Sequence, residues 1–339
     1  MATKISWLVG ILLIVGFLGF LGMRLFSPRP DAPTTATTKA GVLEIIKPAM
    51  PISEILGSQP SGKNNAGEYY NDAVLYFREN KKDFKEIYNQ MTAGTENPQM
   101  FGWQEDLCLN LQKKLAPAAE CETMKYTLLF TPDKLTVSGK PDGQDDLYWL
   151  KNMLELLCMS YQHDSQWQKA VESAKTMLLL GWHMTQDDSR AMYQITGLDI
   201  QADAAQRLAF YYGKLGNTKM SKLCDDYYNQ AITAGTLAHE KYNNVWNLRQ
   251  RPGGKQGPFP GDLFNIIEND QSRGWKVDAL LAMSIAKLQE AKTKGNHAEI
   301  ERLYDKYSQC NDPLLRAAAK ASQTATKDDI ENAMRGDSE

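Results

Sequence analysis

Residues 145–180 read DDLYWLKNMLELLCMSYQHDSQWQKAVESAKTMLLL, and their spacing decides the fold class. Leu154, Leu157, Cys158 and Tyr161 recur at three- and four-residue intervals, and Trp167, Ala170, Ala174 and Met177 do the same. Residues so spaced share one helix face, so the stretch predicts two amphipathic helices, 145–162 and 166–180, separated by a short turn.

The pattern extends in both directions. Asn71 to Met91 carries Val74, Phe77, Phe84, Ile87, Tyr88 and Met91 in one apolar stripe, and Glu105 to Leu115 repeats it until Pro117 limits the helix. Further helices are predicted over 201–215, 218–234, 261–269, 276–294, 297–309 and 313–324. Only 126–144, YTLLFTPDKLTVSGKPDGQ, suits a strand or long loop, so no sheet of any size can be built. The expected fold is all-α, with antiparallel helix pairs stacked as a solenoid or bundle.

In the 145–180 pair, a large residue, Leu157, a small residue and Tyr161 on the first helix face Trp167, Ala170 and Ala174 on the second. This spacing resembles the tetratricopeptide signature, with Cys158 where Gly is usual, Ala174 where an aromatic is usual, and no closing Pro. A second pair repeats it loosely: Leu208, Ala209 and Tyr212, a Leu-Gly-Asn turn at 215–217, then Leu223, Tyr227 and Ala231. A third runs through Leu281, Ile285 and Leu288 to a Lys-Gly-Asn turn at 294–296, then Ile300, Leu303, Tyr304 and Tyr307. The closing DPLLRAAAKA, Asp312 to Ala321, is similar to the second helix of a HEAT repeat, with Asp312 as N-cap and Pro313 at the first helical position. Residues 63–325 thus resemble bacterial membrane-anchored proteins with a degenerate tetratricopeptide or HEAT-like domain, a family that brings no assigned activity with it.

Ahead of that domain, Ile5 to Met23 reads ISWLVGILLIVGFLGFLGM, without a formal charge and bracketed by Lys4 and Arg24. At about 1.5 Å per residue it matches the roughly 30 Å bilayer core. The run exceeds a signal-peptide core and no small-x-small cleavage site follows, so residues 5–26 read as an uncleaved transmembrane anchor after a short tail, 1–4. Gly16, Gly19 and Gly22 do not form GxxxG. Positive residues flank both sides, but the very short N-terminal tail favours a cell-membrane signal anchor whose C-terminal domain is extracytoplasmic. Residues 27–62 are rich in Pro and Thr and read as a linker, within which GVLEIIKP is suited to dock on the domain. Residues 326–339 read as a polar tail.

With 38 Lys+Arg against 41 Asp+Glu, the net charge of −3 argues against a nucleic-acid partner held through phosphates. Five cysteines without a CxxC exclude a disulfide-dense scaffold; Cys108 and Cys121 are close enough in sequence to pair, whereas Cys158 and Cys224 lie on apolar helix faces.

Chemistry-bearing motifs are sparse. GSQPSGKN, Gly57 to Asn64, satisfies G-x-x-x-x-G-K, but Asn64 stands where a P-loop needs Ser or Thr and no strand precedes it. It reads as a turn, with no phosphate role for Lys63. His163, His183, His239 and His297 fall on or beside different helices and form no close ligand pair. Asp142, Asp145 and Asp146 lack EF-hand spacing. No cofactor or metal is therefore expected. The least ordinary loop, NLRQRPGGKQGPFPG (247–261), sets Arg249, Arg251 and Lys255 beside Phe259, a candidate surface for an acidic partner or anionic head groups.

The resulting expectation is a non-catalytic, membrane-anchored interaction or scaffold protein whose helix pairs present a surface to a protein or peptide. The alternatives are an accessory subunit of a membrane complex, and an envelope enzyme whose groups converge from distant positions.

Overall fold

A computed structural model describes residues 46–92, 98–125, 135–137, 144–246, 260–290 and 297–330. Helix α1 (Ser53–Leu56) and strand β1 (Gly62–Asn65) lead into α2 (Ala66–Glu79), α3 (Lys81–Thr92) and α4 (Pro98–Leu115). A 3-10 turn, Ala116–Glu120, and strand β2 (Cys121–Thr123) follow. Then come α5 (Gln144–His163), α6 (Trp167–Gln186), α7 (Ala191–Lys214) and α8 (Thr218–Trp246). The last described helices are α9 (Pro260–Asn269), α10 (Arg273–Glu290), α11 (His297–Ser308) and α12 (Pro313–Thr324). Among the described residues the fold is all-α apart from two short strands.

Several features differ from the sequence expectation, among them α7, which starts ten residues before the predicted 201, and α8, which runs twelve residues beyond the predicted 234. The stripe over 71–91 is two helices, because Asn80 turns its side-chain amide back onto the Tyr76 carbonyl at 2.8 Å and competes with the helical ladder. Phe77 and Phe84 nonetheless pack across the break, ring centroids 5.7 Å apart, which is why the stripe reads as continuous. The strands lie outside 126–144: β1 and β2 pair in parallel, Gly62 opposite Cys121 and Asn65 opposite Thr123. Finally, residues 46–62 do not all behave as a solvated linker, since Ile52 and Ile55 are buried and the Met50 amide donates to Gln230 Oε1 at 2.8 Å.

One side chain makes the strand pair possible. Asn65 Oδ1 accepts from Gly67 N, capping α2, and from Lys125 N at 2.7 Å, while its Nδ2 donates to the Lys125 carbonyl at 2.9 Å. The amide thus adds one backbone-like rung beyond β2. Gly67 has to be glycine at this approach, because a Cβ there would land on the Lys125 carbonyl.

Polar rungs fix the relative directions of the central helices. Lys151 meets Asp203, Glu155 meets Arg207, and Gln162 accepts from the Tyr211 hydroxyl, so residue numbers rise together along α5 and α7. Those two helices are parallel. Between α5 and α6, Cys158 Sγ donates to the Ala170 carbonyl, and between α7 and α8, Ser221 donates to the Ala209 carbonyl at 2.8 Å. These are antiparallel hairpins. Backbones of α6 and α7 approach so closely that a Cβ on Gly197 would come within 2.5 Å of the Gly181 carbonyl.

Equivalent turns close the two hairpins at the same end. In one, Gln166 N donates to Tyr161 O with Ser165 at φ +56°; in the other, Asn217 N donates to Tyr212 O with Gly216 at φ +72°. Both are Schellman-type closures, which need a left-handed residue at that position.

Two apolar cores result. One joins α1–α4 to the facing sides of α5–α8, and the other gathers parts of α7 and α8 with α9–α12. In α12, Asp312 accepts from Leu314 N and Leu315 N and Pro313 occupies the first turn, the cap arrangement that its sequence predicts.

Candidate functional site

The side-by-side helices α5 and α7 present a narrow outward face. Along α5 it carries Tyr148, Glu155, Met159 and Gln162, and along α7 Asp199, Asp203, Arg207 and Phe210. Intervals of three, four or, from Tyr148 to Glu155, seven residues return to the same side of a helix, so each set lies in one stripe. Tyr148 is 46% exposed, Met159 38% and Phe210 45%, large apolar groups on a surface otherwise occupied by charge.

The charges between them are mutually engaged. Lys151 Nζ lies 2.7 Å from Glu155 Oε2 and 3.0 Å from Asp203 Oδ2, and the other oxygen of Glu155 accepts from Arg207. Lys151 is nearly buried; its net shift is upward because the neighbouring carboxylates outweigh the desolvation that pulls the ammonium down. A ladder satisfied in this way holds α5 and α7 in register. Lys151 Nζ also lies 5.5 Å over the Tyr148 ring, and Tyr148, Met159 and Phe210 carry the exposed apolar area of the face.

Sequence periodicity does not separate these residues from core residues. Tyr148 and Met159 are apolar residues of an amphipathic helix, and Phe210 stands next to Tyr211 and Tyr212, both of which turn inward. The usable signal is an angular one: at 100° per residue, Tyr148 and Met159 fall in line with Glu155 and not with Leu154 and Leu157.

Two grooves flank the segment 46–52 where it crosses α8. One, of about 470 Å³, is lined by Ile46, Pro48, Asn229, Gln230, Thr233 and Leu237; the other, of about 280 Å³, reaches Trp182, Gln186, Gln201 and Tyr227. Neither brings together an acid, a base and a nucleophile.

The histidines are held apart by the fold. His183 is buried, its Nδ1 2.7 Å from the Tyr70 hydroxyl and its Nε2 2.8 Å from the Cys121 carbonyl. The carbonyl requires a proton on Nε2, so Nδ1 accepts from Tyr70. Burial holds this ring neutral and lowers its pKa to about 4, against a smaller opposing effect of the Cys121 carbonyl. His163 pairs with Asp164 and His239 with Asp199, both at the surface. Among the described residues no three His, Cys, Asp or Glu side chains are grouped to hold a metal ion. None of the five cysteines is in a disulfide, and burial raises the thiols of Cys108 and Cys158 to about 12.

The segment 57–64 does not form a phosphate cradle. Gly57, at φ +86°, ends α1, whereas Gly62 and the exposed Lys63 belong to β1, which follows the glycines where a P-loop strand would precede them. Residues 62–64 are thus strand where the sequence suggests a turn. Arg249, Arg251, Lys255 and Phe259 lie outside the described residues, as do the expected anchor, 5–26, and the tail from 331.

Among the described residues, no helix is long and apolar enough to cross a membrane. No family model, curated protein or solved structure matches the chain.

The sequence also holds a repeated turn that its periodicity does not reveal. Asp187-Asp188-Ser189-Arg190 precedes α7, and Asp270-Gln271-Ser272-Arg273 opens α10. In each, the first Asp accepts from the Ser amide, Ser189 N at 2.8 Å and Ser272 N at 2.9 Å. The two turns interlock: Asp188 accepts from Ser272 Oγ, Arg273 N and Gly274 N, while Asp278 of α10 accepts from Arg190 and Ala191 N. This junction is a structural clamp between the two cores, with the Arg190–Asp278 pair enclosed at its centre.

Proposed function

We propose that the chain is a single-pass, membrane-anchored helical-repeat protein that binds a protein or peptide partner on the α5/α7 face and carries out no catalysis of its own. What supports the reading is the parallel pair of helices with Tyr148 and Met159 exposed beside a ladder of mutually satisfied charges. Such a face offers aromatic and thioether contact area without requiring the ladder to desolvate unpaired ions. The two equivalent hairpin turns lie 51 positions apart, Ser165 to Gly216, longer than the 34 of a tetratricopeptide unit. The repeat is therefore a long-helix variant of that arrangement in this proposal. The 19-residue apolar segment Ile5 to Met23 supports the anchor.

The test is affinity capture with the full chain from detergent-solubilised membranes, followed by mass-spectrometric identification. A partner recovered by the parent and lost with Tyr148→Ser/Met159→Ser, at unchanged melting temperature, supports the face. Equal recovery with the double variant rules this face out. Retention in membranes through a carbonate wash tests the anchor separately, and a mature chain beginning near residue 27 by intact mass would overturn it.

A further inference from the structure

The end of the α5–α8 block, where both hairpin turns emerge, has a composition unlike the face beside it. Phe210 and Leu215 are 45% and 42% exposed there, and Trp167, half-buried, sets its ring edge-on to Phe210 at 6.1 Å. Leu215 is directed outward by the closure itself, since Gly216 takes the left-handed conformation and returns the chain into α8. Exposed lysines surround these groups: Lys169 on the first turn of α6, Lys214 at the end of α7, Lys219 and Lys222 at the start of α8. Lys214 folds over the Phe210 ring at 5.1 Å and Lys169 over Tyr161 at 5.3 Å. The acids of the end are Asp164, paired with His163, and, further along the helices, Glu172, Asp225 and Asp226.

We infer that this end docks on an anionic lipid surface, with Leu215, Phe210 and Trp167 entering the head-group region and Lys169, Lys214, Lys219 and Lys222 facing lipid phosphates. A Trp-Phe-Leu tip suits the boundary between water and acyl chains, where aromatic groups with one polar edge are favoured. Lysines beside it keep their stems on the apolar layer and their ammonium groups in the charged one. Basic residues near an anionic surface add attraction that falls off within a Debye length, so the contact is salt-sensitive. The inference rests on the anchor reading only for bringing the domain near a bilayer. The positions lining the groove beside Ile46, 229–237, follow Thr218 by 11 to 19 helical residues, roughly 17 to 28 Å from this end. Residues 27–45 span at most about 60 Å, so the tether length permits the contact.

Full-length protein is reconstituted in neutral phosphatidylcholine vesicles and in vesicles that also carry phosphatidylglycerol. A bimane label is placed at Leu215→Cys or, for comparison, at the exposed Ile232→Cys of α8, with the unsubstituted chain as the labelling background. Quenching by spin-labelled lipid is then read. The expected result is strong quenching at position 215 in the anionic vesicles, weak quenching at 232, and relief at high salt. Lys214→Gln/Lys219→Gln/Lys222→Gln should lower the docked-to-free ratio by about a hundred-fold, about five-fold for each lysine. Absent quenching at 215, or equal quenching at 215 and 232, overturns the proposal, as does a tip that is protected by a captured protein and not by lipid. Failure of the anchor is distinguishable, because unanchored chain does not float with the neutral vesicles on a density gradient. Such chain added to anionic vesicles then still reports docking through position 215, quenched if the tip binds lipid and unquenched if it does not.

Discussion

Arg190 and Asp278 form an ion pair at 2.8 Å with side chains 2% and 0% exposed, and the second oxygen of Asp278 accepts the Ala191 amide at 2.7 Å. One carboxylate therefore neutralises the cation that precedes α7 and caps the first turn of that helix. The close approach is completed by Gly274, where a Cβ would come within 2.9 Å of the Arg190 backbone. Asp278→Ala should cost about 3–5 kcal/mol, the scale for leaving a buried charge unpaired. Chemical denaturation checks this, and a loss under about 1 kcal/mol would mean that the guanidinium finds another partner.

At the α5–α6 contact, Ala170 is fully buried and its carbonyl faces Cys158 Sγ. Ala170→Arg places a cation between two apolar helices and should cost several kcal/mol. The expected reading is a large drop in melting temperature, or no folded protein. An unchanged melting temperature would contradict the packing register of this hairpin.

His183 gives the stability a defined pH dependence. Its pKa is about 4 in the folded chain, below the ordinary 6.5, because burial disfavours the imidazolium. The unfolded chain therefore binds the extra proton first as pH falls. Stability from this group is fully present above about pH 6.5, declines as pH drops towards 4, and changes no further below that. The loss is on the order of 3 kcal/mol. Stability curves of the parent and of His183→Gln between pH 7 and 4 should differ in slope, with the variant flatter, and parallel curves would remove His183 as the source.

The two hairpin closures differ in what they cost. Ser165 holds φ +56° with a side chain present, whereas Gly216 holds φ +72° without one. Ser165→Gly should stabilise the protein by up to about 1 kcal/mol, and Gly216→Ser should destabilise it by about 1–2 kcal/mol. Thermal unfolding of the pair, at neutral pH, reads both signs. Shifts of the same sign would show that the turns are not equivalent.

Spacing along the chain was enough to place α5, α6, α11 and α12 and the Asp312 cap, because each depends on interactions within a few residues. The split at Asn80 was not legible from the apolar stripe, since Phe77 and Phe84 remain in contact whether or not the backbone ladder continues between them. The candidate face was legible only in part. Tyr148 and Met159 have the residue types and spacing of core positions, and exposure depends on which side of α5 its neighbours cover.

What the amino-acid sequence determined by itself is the helical class and the apolar composition of the segment 5–23. These follow from period, length and residue type. Only the tertiary structure decided that α5 and α7 run parallel, that Asn65 extends a strand pair, and that Asp188 and Asp278 cap helices across a junction. Each of these depends on groups brought together from distant parts of the chain, such as Asn65 with Lys125 and Arg190 with Asp278. A carboxylate has the same local sequence whether it ends in water or on a buried guanidinium, so the distinction is made by packing.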